Sequence, residues 1–257
     1  MQNSDLLLLS SVETQKLLVL ADTSLIMAQR LSEWCGHAPI LEQDIAISNI
    51  ALDYLGQARN WYQLIAKTLN KREGTNTHTE DTLAYLRDVT DFKNLLLVEL
   101  PNNNWAYTIA RIFFISNYQH HFYTQLLTHT NSNIAAIAEK SIKELNYHVQ
   151  WSGDWMIRLG DGTNESKQKM VEAVNNWWSY TGEFFEEKLH AMFGTNATIL
   201  EQQWMAKTKA IFEEATLHIP ENKWMQTGGI EGKHTEHLGF ILAEMQFLQK
   251  TYPNATW

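Results

Sequence analysis

The chain has little that would bend it or brace it covalently. Four prolines and twelve glycines interrupt 257 residues, so long helices are easily accommodated, and a many-stranded sandwich, which needs frequent turns, is not expected. The single cysteine, Cys35, rules out an internal disulfide and fits a reducing cytoplasm. Basic clusters are missing as well. With a net charge of -9 and no Lys/Arg stripe, there is no electrostatic footprint for nucleic acid. No apolar run reaches the roughly 20 residues that cross a bilayer, so a membrane is not an expected partner. The opening "MQNSDLLLLSSV" has four leucines, but an Asp precedes them and no basic residue flanks them. It is too short and wrongly flanked for a signal peptide. A Gly-x-Ser-x-Gly elbow, a P-loop and a dinucleotide-binding glycine motif are all absent.

What is present is helical periodicity in a chain that is 44% hydrophobic and contains ten tryptophans. Large aromatics fill wide bundle cores or interfaces. The pattern predicts a first helix over about 13–34, stopped by Gly36 and Pro39, and a second from Glu42 to about Leu69. The second helix carries the stripe Ile47, Ile50, Ala51, Tyr54, Ala58, Trp61 and Ile65. A polar linker over 70–81 ends at an N-cap, Thr79 or Asp81, and a shorter amphipathic piece follows over 82–100. Further helices are predicted over 105–129, 134–159, 164–190 (capped by Thr163), 197–217 and 235–252. The expected architecture is all-α and a single domain, 1–257. It consists of an antiparallel four-helix bundle over about 13–160 with additional C-terminal helices over about 163–252.

The stretch "KELNYHVQW" raises the question of a metal. A carboxylate-bridged di-iron bundle takes a Glu from each of two helices and a Glu-x-x-His from each of the other two. Glu144 has Tyr147 three residues on, and His148 comes one residue too late. Asp53 has Gly56 at the matching position, which offers no ligand. The third helix holds no Asp or Glu between Trp105 and His129, where Asn117, Gln119, His120 and His121 are the nearest polar candidates. Two irons would be poorly neutralised in such a core. These are degenerate bundle positions, and no catalytic, cofactor-binding or metal residue is assigned. The simplest reading of Glu144 and His148, on a stripe with Trp151 and Trp155 beside an aliphatic stripe of Ala138, Ile142, Leu145, Val149 and Met156, is a hydrogen-bonded pair under aromatic cover. A single metal site and a solvated pair are the alternatives. Glu187/His190 and Glu231/His234 match Glu-x-x-His by spacing, as a chain with ten histidines does by chance. Thr235 as an N-cap explains the latter region more simply. Cys35 beside His37 reads as a small buried hydrophobe, with an activated thiolate as the alternative.

Several segments together resemble one family: "RLSEWCGHAP" (30–39), "DIAISNIALDYLGQARNWY" (44–62), "NLLLVELPN" (94–102), "TIAR" (108–111), "KELNYHVQWSGDWMIRLGDGTNES" (143–166), "YTGEFF" (180–185) and "HTEHLGFILAEMQFLQKTYPNATW" (234–257). They are similar to the structural subunits of bacterial phenylacetyl-CoA epoxidases, apart from Asn254, where that family suggests Gly. The resemblance implies a ferritin-like fold and a non-catalytic scaffold, pairing in a hetero-oligomer with the related catalytic subunit of the same complex. It places the di-iron centre in that partner and brings NADPH electrons through a separate reductase. On this reading the complex epoxidises the ring of phenylacetyl-CoA in the cytoplasm, and this chain carries no cofactor. Trp177, Trp178 and the stripe Asn49, Asp53, Gly56, Gln57 and Asn60 are then interface or packing candidates. An autonomous di-iron oxidase with an irregular ligand set is the competing reading.

Overall fold

The computed structural model describes residues 12–221, 224–252 and 255. The leucine run at 6–9 and Asn254 lie outside these described residues. Among the described residues every regular element is helical. In chain order these are α1 (Val12–Ser32), α2 (Leu41–Glu73), α3 (Glu80–Tyr85), α4 (Trp105–Leu126), α5 (Ser132–Gly160), α6 (Asn164–Trp178), α7 (Glu187–Phe193), α8 (Ala197–Glu214), α9 (Glu236–Met245) and α10 (Phe247–Thr251). They fall into two compact units.

The first unit takes residues 12–37, Leu41–Pro101 and the chain from Gly228 onward. Its centre is the hairpin of α1 and α2. At 33 residues, α2 is about 50 Å long. Glu42 and Asp44 in its first turn and Lys71 and Arg72 in its last complement the helix dipole. Every residue of the expected α2 stripe is buried, and each isoleucine in it contributes about 1.5–3 kcal/mol.

Two boundaries in this unit differ from expectation. α2 continues through Glu73, four residues into the predicted linker, and stops where Gly74 adopts φ +68°. The Asn70 side chain then clamps the turn, donating to His78 O (2.8 Å) and accepting from His78 N (3.0 Å). Thr79 caps α3 in a reciprocal box with Thr82. The amphipathic piece over 82–100 keeps only six helical residues. Arg87 turns inward and its Nε donates to Leu83 O (2.5 Å), closing the end of α3, and two 3-10 turns follow at Val89–Asp91 and Leu96–Glu99. The last predicted helix is also divided. Gln246 turns inward, its amide donating to Arg87 O (2.9 Å) and Ala84 O (3.4 Å).

The second unit takes Ala38–Ile40 and Asn102–Thr227, with α4 and α5 as its central hairpin and α6 and α8 packed beside them. The Asn104 side chain caps α4 by accepting from Ala106 N (3.0 Å). From Ala106 to Gln119 every residue of α4 is buried, the mark of a central helix surrounded by others. The helix expected over 164–190 breaks after Trp178. Thr181 Oγ1 donates to Trp178 O (2.8 Å), and a Cβ on Gly182 would collide with Met225. A threonine that bonds the backbone competes with the helical ladder.

Candidate functional site

The degenerate bundle positions occupy unlike environments. On α2, Asp53 is half-buried, and a Cβ added at Gly56 would meet none of the described residues within 4 Å. On α5, Glu144 is half-buried and His148 fully buried. Among the described residues, no three His, Cys, Asp or Glu side chains gather as a metal-holding group. The residues at these positions do not fit a bridged pair of irons.

The buried stripe of α5 is rotated from the expected one. It runs Ile134, Ala138, Ser141, Leu145, His148, Ser152, Met156 and Gly160, while Ile142 and Val149 are half-buried. Serines can take these core positions because each hydroxyl returns a bond to its own helix, Ser141 Oγ to Ile137 O (2.9 Å) and Ser152 Oγ to His148 O (2.6 Å). Trp151 and Trp155 are half-buried, and both meet Trp105 edge-on, with ring centres 6.1 and 5.8 Å away.

Neither literal Glu-x-x-His match belongs to a metal-holding group among the described residues. Glu187 is exposed, while His190 bonds Phe184 O (2.9 Å) and Thr195 Oγ1 (2.8 Å). Glu231 pairs with Lys233, not with His234. Thr235 is the N-cap of α9, accepting from His237 N. Cys35, expected to be buried, is exposed. It lies in the turns between α1 and α2, where Gly36 N donates to Asp44 Oδ2 (2.7 Å) and the chain bends outward.

Of the interface or packing candidates, Trp177 and Trp178 are packing residues, 5% and 4% exposed. Trp177 Nε1 donates to Tyr107 O (3.0 Å), and Trp178 packs on Phe114, Trp204 and Phe212. Gln57 is buried, Asn60 half-buried and Asn49 exposed.

Two buried ionic clusters in the first unit went unread in the sequence. In one, Asp22 Oδ1 accepts from Arg87 (2.5 Å) and Tyr62 OH (2.5 Å), while Oδ2 accepts from Arg87 (3.0 Å) and Lys93 N (2.8 Å). Burial first, then the Asp22 charge, hold the Tyr62 hydroxyl well above its ordinary range. In the other, Glu99 Oε1 accepts from Thr235 N (2.6 Å), and Oε2 accepts from Asn94 Nδ2 (3.0 Å) and His234 Nδ1 (2.9 Å). His234 Nε2 meets Phe92 O at 2.9 Å. Both ring nitrogens therefore face acceptors, an arrangement that favours the doubly protonated imidazole. Burial opposes that charge, but the Glu99 bond and charge and the Phe92 carbonyl outweigh it, and the net shift is upward. The partners lie 135 residues apart, so no local spacing announces them.

The outward face of α2 was also missed. Leu41, Ile45, Leu52 and Leu55 are 71%, 54%, 63% and 41% exposed. Their spacing of four, seven and three residues puts them on one face. The same 3.6-residue count that finds the inner stripe would have found this second one.

A family model of phenylacetic acid catabolic proteins matches residues 10–257. The chain belongs to this family. A relative from Escherichia coli (strain K12), named as the C subunit of 1,2-phenylacetyl-CoA epoxidase, is 44% identical over 244 residues, covering 93% of this chain and 96% of the relative. The family match covers both units, including the α4 segment without carboxylates. Among the described residues no helix is long and apolar enough to cross a membrane.

Proposed function

We propose that this chain is the non-catalytic structural subunit of a phenylacetyl-CoA epoxidase, forming a hetero-oligomer with a related di-iron subunit that performs the chemistry. Reducing equivalents would come from NADPH through a separate reductase, and the complex would work in the cytoplasm, in keeping with the free, exposed Cys35. The observation that carries the reading is the outer face of α2. Four large aliphatic side chains stand in solvent at helical spacing on a helix whose opposite face is already buried. An exposed apolar stripe, here interrupted only by the half-buried Ser48, marks a protein contact. Gly56 lies beside it on the helix wheel, with open space in front of its backbone. A mid-helix glycine lowers helix stability by about 0.5–1 kcal/mol relative to alanine, and nothing among the described residues approaches it closely enough to require it. Close approach of a partner helix would.

Co-expression with the catalytic relative tests this. The pair should co-elute, and Leu52→Asp with Leu55→Asp should abolish co-elution while leaving the helical circular dichroism of this chain unchanged. A catalytic relative that is soluble and fully active alone would overturn the scaffold role. About two irons per purified chain would favour the autonomous oxidase instead.

A further inference from the structure

The second unit contains a polar cleft of about 260 Å³ where α4, α5 and α8 meet. It is lined by His120 and His121 of α4, Asn146 and Gln150 of α5, and Gln203 and Lys207 of α8, with Asn117 and Val149 completing it. Among the described residues no carboxylate lines it, although the chain has 29 acidic residues against 20 Lys and Arg. Gln150 donates to Asp154 Oδ1 (2.8 Å), a carboxylate outside the lining. The two imidazoles stand edge to face with centres 5.1 Å apart. Asn146 bonds His120, and Lys207 is near enough to act on both rings. Three nitrogen groups that can carry positive charge thus share one concavity whose described lining holds no carboxylate, although the amides of Asn117 and Gln150 already donate elsewhere.

We propose that this cleft is an oxyanion site that takes a phosphate group, free or carried on a larger molecule, between Lys207 and the two imidazoles. The proposal is independent of the scaffold reading, because it concerns α4, α5 and α8 and makes no use of the α2 face. Without a ligand the His121 ring is held down to about 4, by burial first and then by His120 and Lys207, and the His120 ring is also lowered. A bound dianion supplies the missing charge and favours protonation of both rings. Phosphate oxygens accept bonds from lysine, imidazolium and amide groups alike.

The test is a titration of the full chain near neutral pH, following the ring signals of His120 and His121 by NMR. The probes are inorganic phosphate and, separately, adenosine monophosphate. A saturable shift at both rings is expected, with His121 titrating nearer neutrality when phosphate is bound. Lys207→Gln should weaken binding about tenfold, the loss of one charge-assisted bond, while Lys207→Arg retains it. Tighter binding of the nucleotide would identify a carried phosphate, and equal or weaker binding the free anion. The proposal fails if neither probe saturates, if chloride at equal ionic strength gives the same shifts, or if Lys207→Gln binds phosphate as the parent chain does.

Discussion

Replacing Glu99 with glutamine tests the reading of the buried imidazolium. The Glu99 side chain is fully buried and that of His234 is 1% exposed, so solvent screens the pair very little. Removing one partner of a buried ion pair costs about 3–5 kcal/mol. The replacement amide keeps an acceptor for Thr235 N and can donate to a neutral imidazole, but its nitrogen then meets the Asn94 donor, which keeps the loss within that range of about 3–5 kcal/mol. The sign of the pH dependence follows from the upward shift at His234. The native state holds a proton that the unfolded state releases near pH 6.5. The contribution is therefore fully present below about 6.5 and disappears as pH rises through the higher native value, with a slope of at most about 1.4 kcal/mol per pH unit. His120, His121 and His190 are shifted downward and act below that range, with stability rising as pH rises towards 6.5. Urea unfolding of the parent chain and the Glu99→Gln chain from slightly acid to alkaline pH separates these effects. The difference in stability should be largest in the acid part of the series and should narrow at alkaline pH. A difference that stays constant across the series would refute a doubly protonated His234.

Asp22→Asn leaves the Arg87 guanidinium buried without its counter-charge and should lower stability by about 3–5 kcal/mol, read from the urea midpoint. Two glycine substitutions should part company in thermal melts. Gly56→Ala has open space and a helical backbone, so the isolated chain should be unchanged or stabilised by about 0.5–1 kcal/mol, while the complex with its partner weakens. Gly160→Ala drives a methyl group into the backbone of Ala215 and should lower the midpoint by several degrees, about 1–3 kcal/mol of overpacking.

The long helices were legible because each carries an unbroken apolar period. The α2 stripe from Ile47 to Ile65 and the caps at Thr79, Thr163 and Thr235 stand where the residues put them. The misses arise from side-chain bonds that hydropathy does not register, some to distant partners and some local. Arg87 abandons an amphipathic pattern to meet Asp22, 65 residues earlier. Gln246 splits a helix to reach Arg87 O, and Thr181 ends one by bonding Trp178 O. The α5 stripe was misplaced because hydropathy ranks Ile142 and Val149 above Ser141 and Ser152, although serines bonded to their own helix bury well. At the candidate site the carboxylate deficit could be counted from the sequence. The polar cleft could not, since its walls come from three helices whose mutual placement only the fold provides.

The first unit is closed by the final segment of the chain, and this sets an order of events during synthesis. Residues up to Pro101 leave the ribosome early, but the segment from Gly228 that completes their unit follows only after Asn102–Thr227. At about 5–20 residues per second the wait is on the order of ten seconds. Throughout it Glu99 has no His234 and the Arg87 carbonyl has no Gln246. The nascent first unit therefore waits, lacking the bonds that His234, Thr235 and Gln246 supply to it, while the second already has all of its residues.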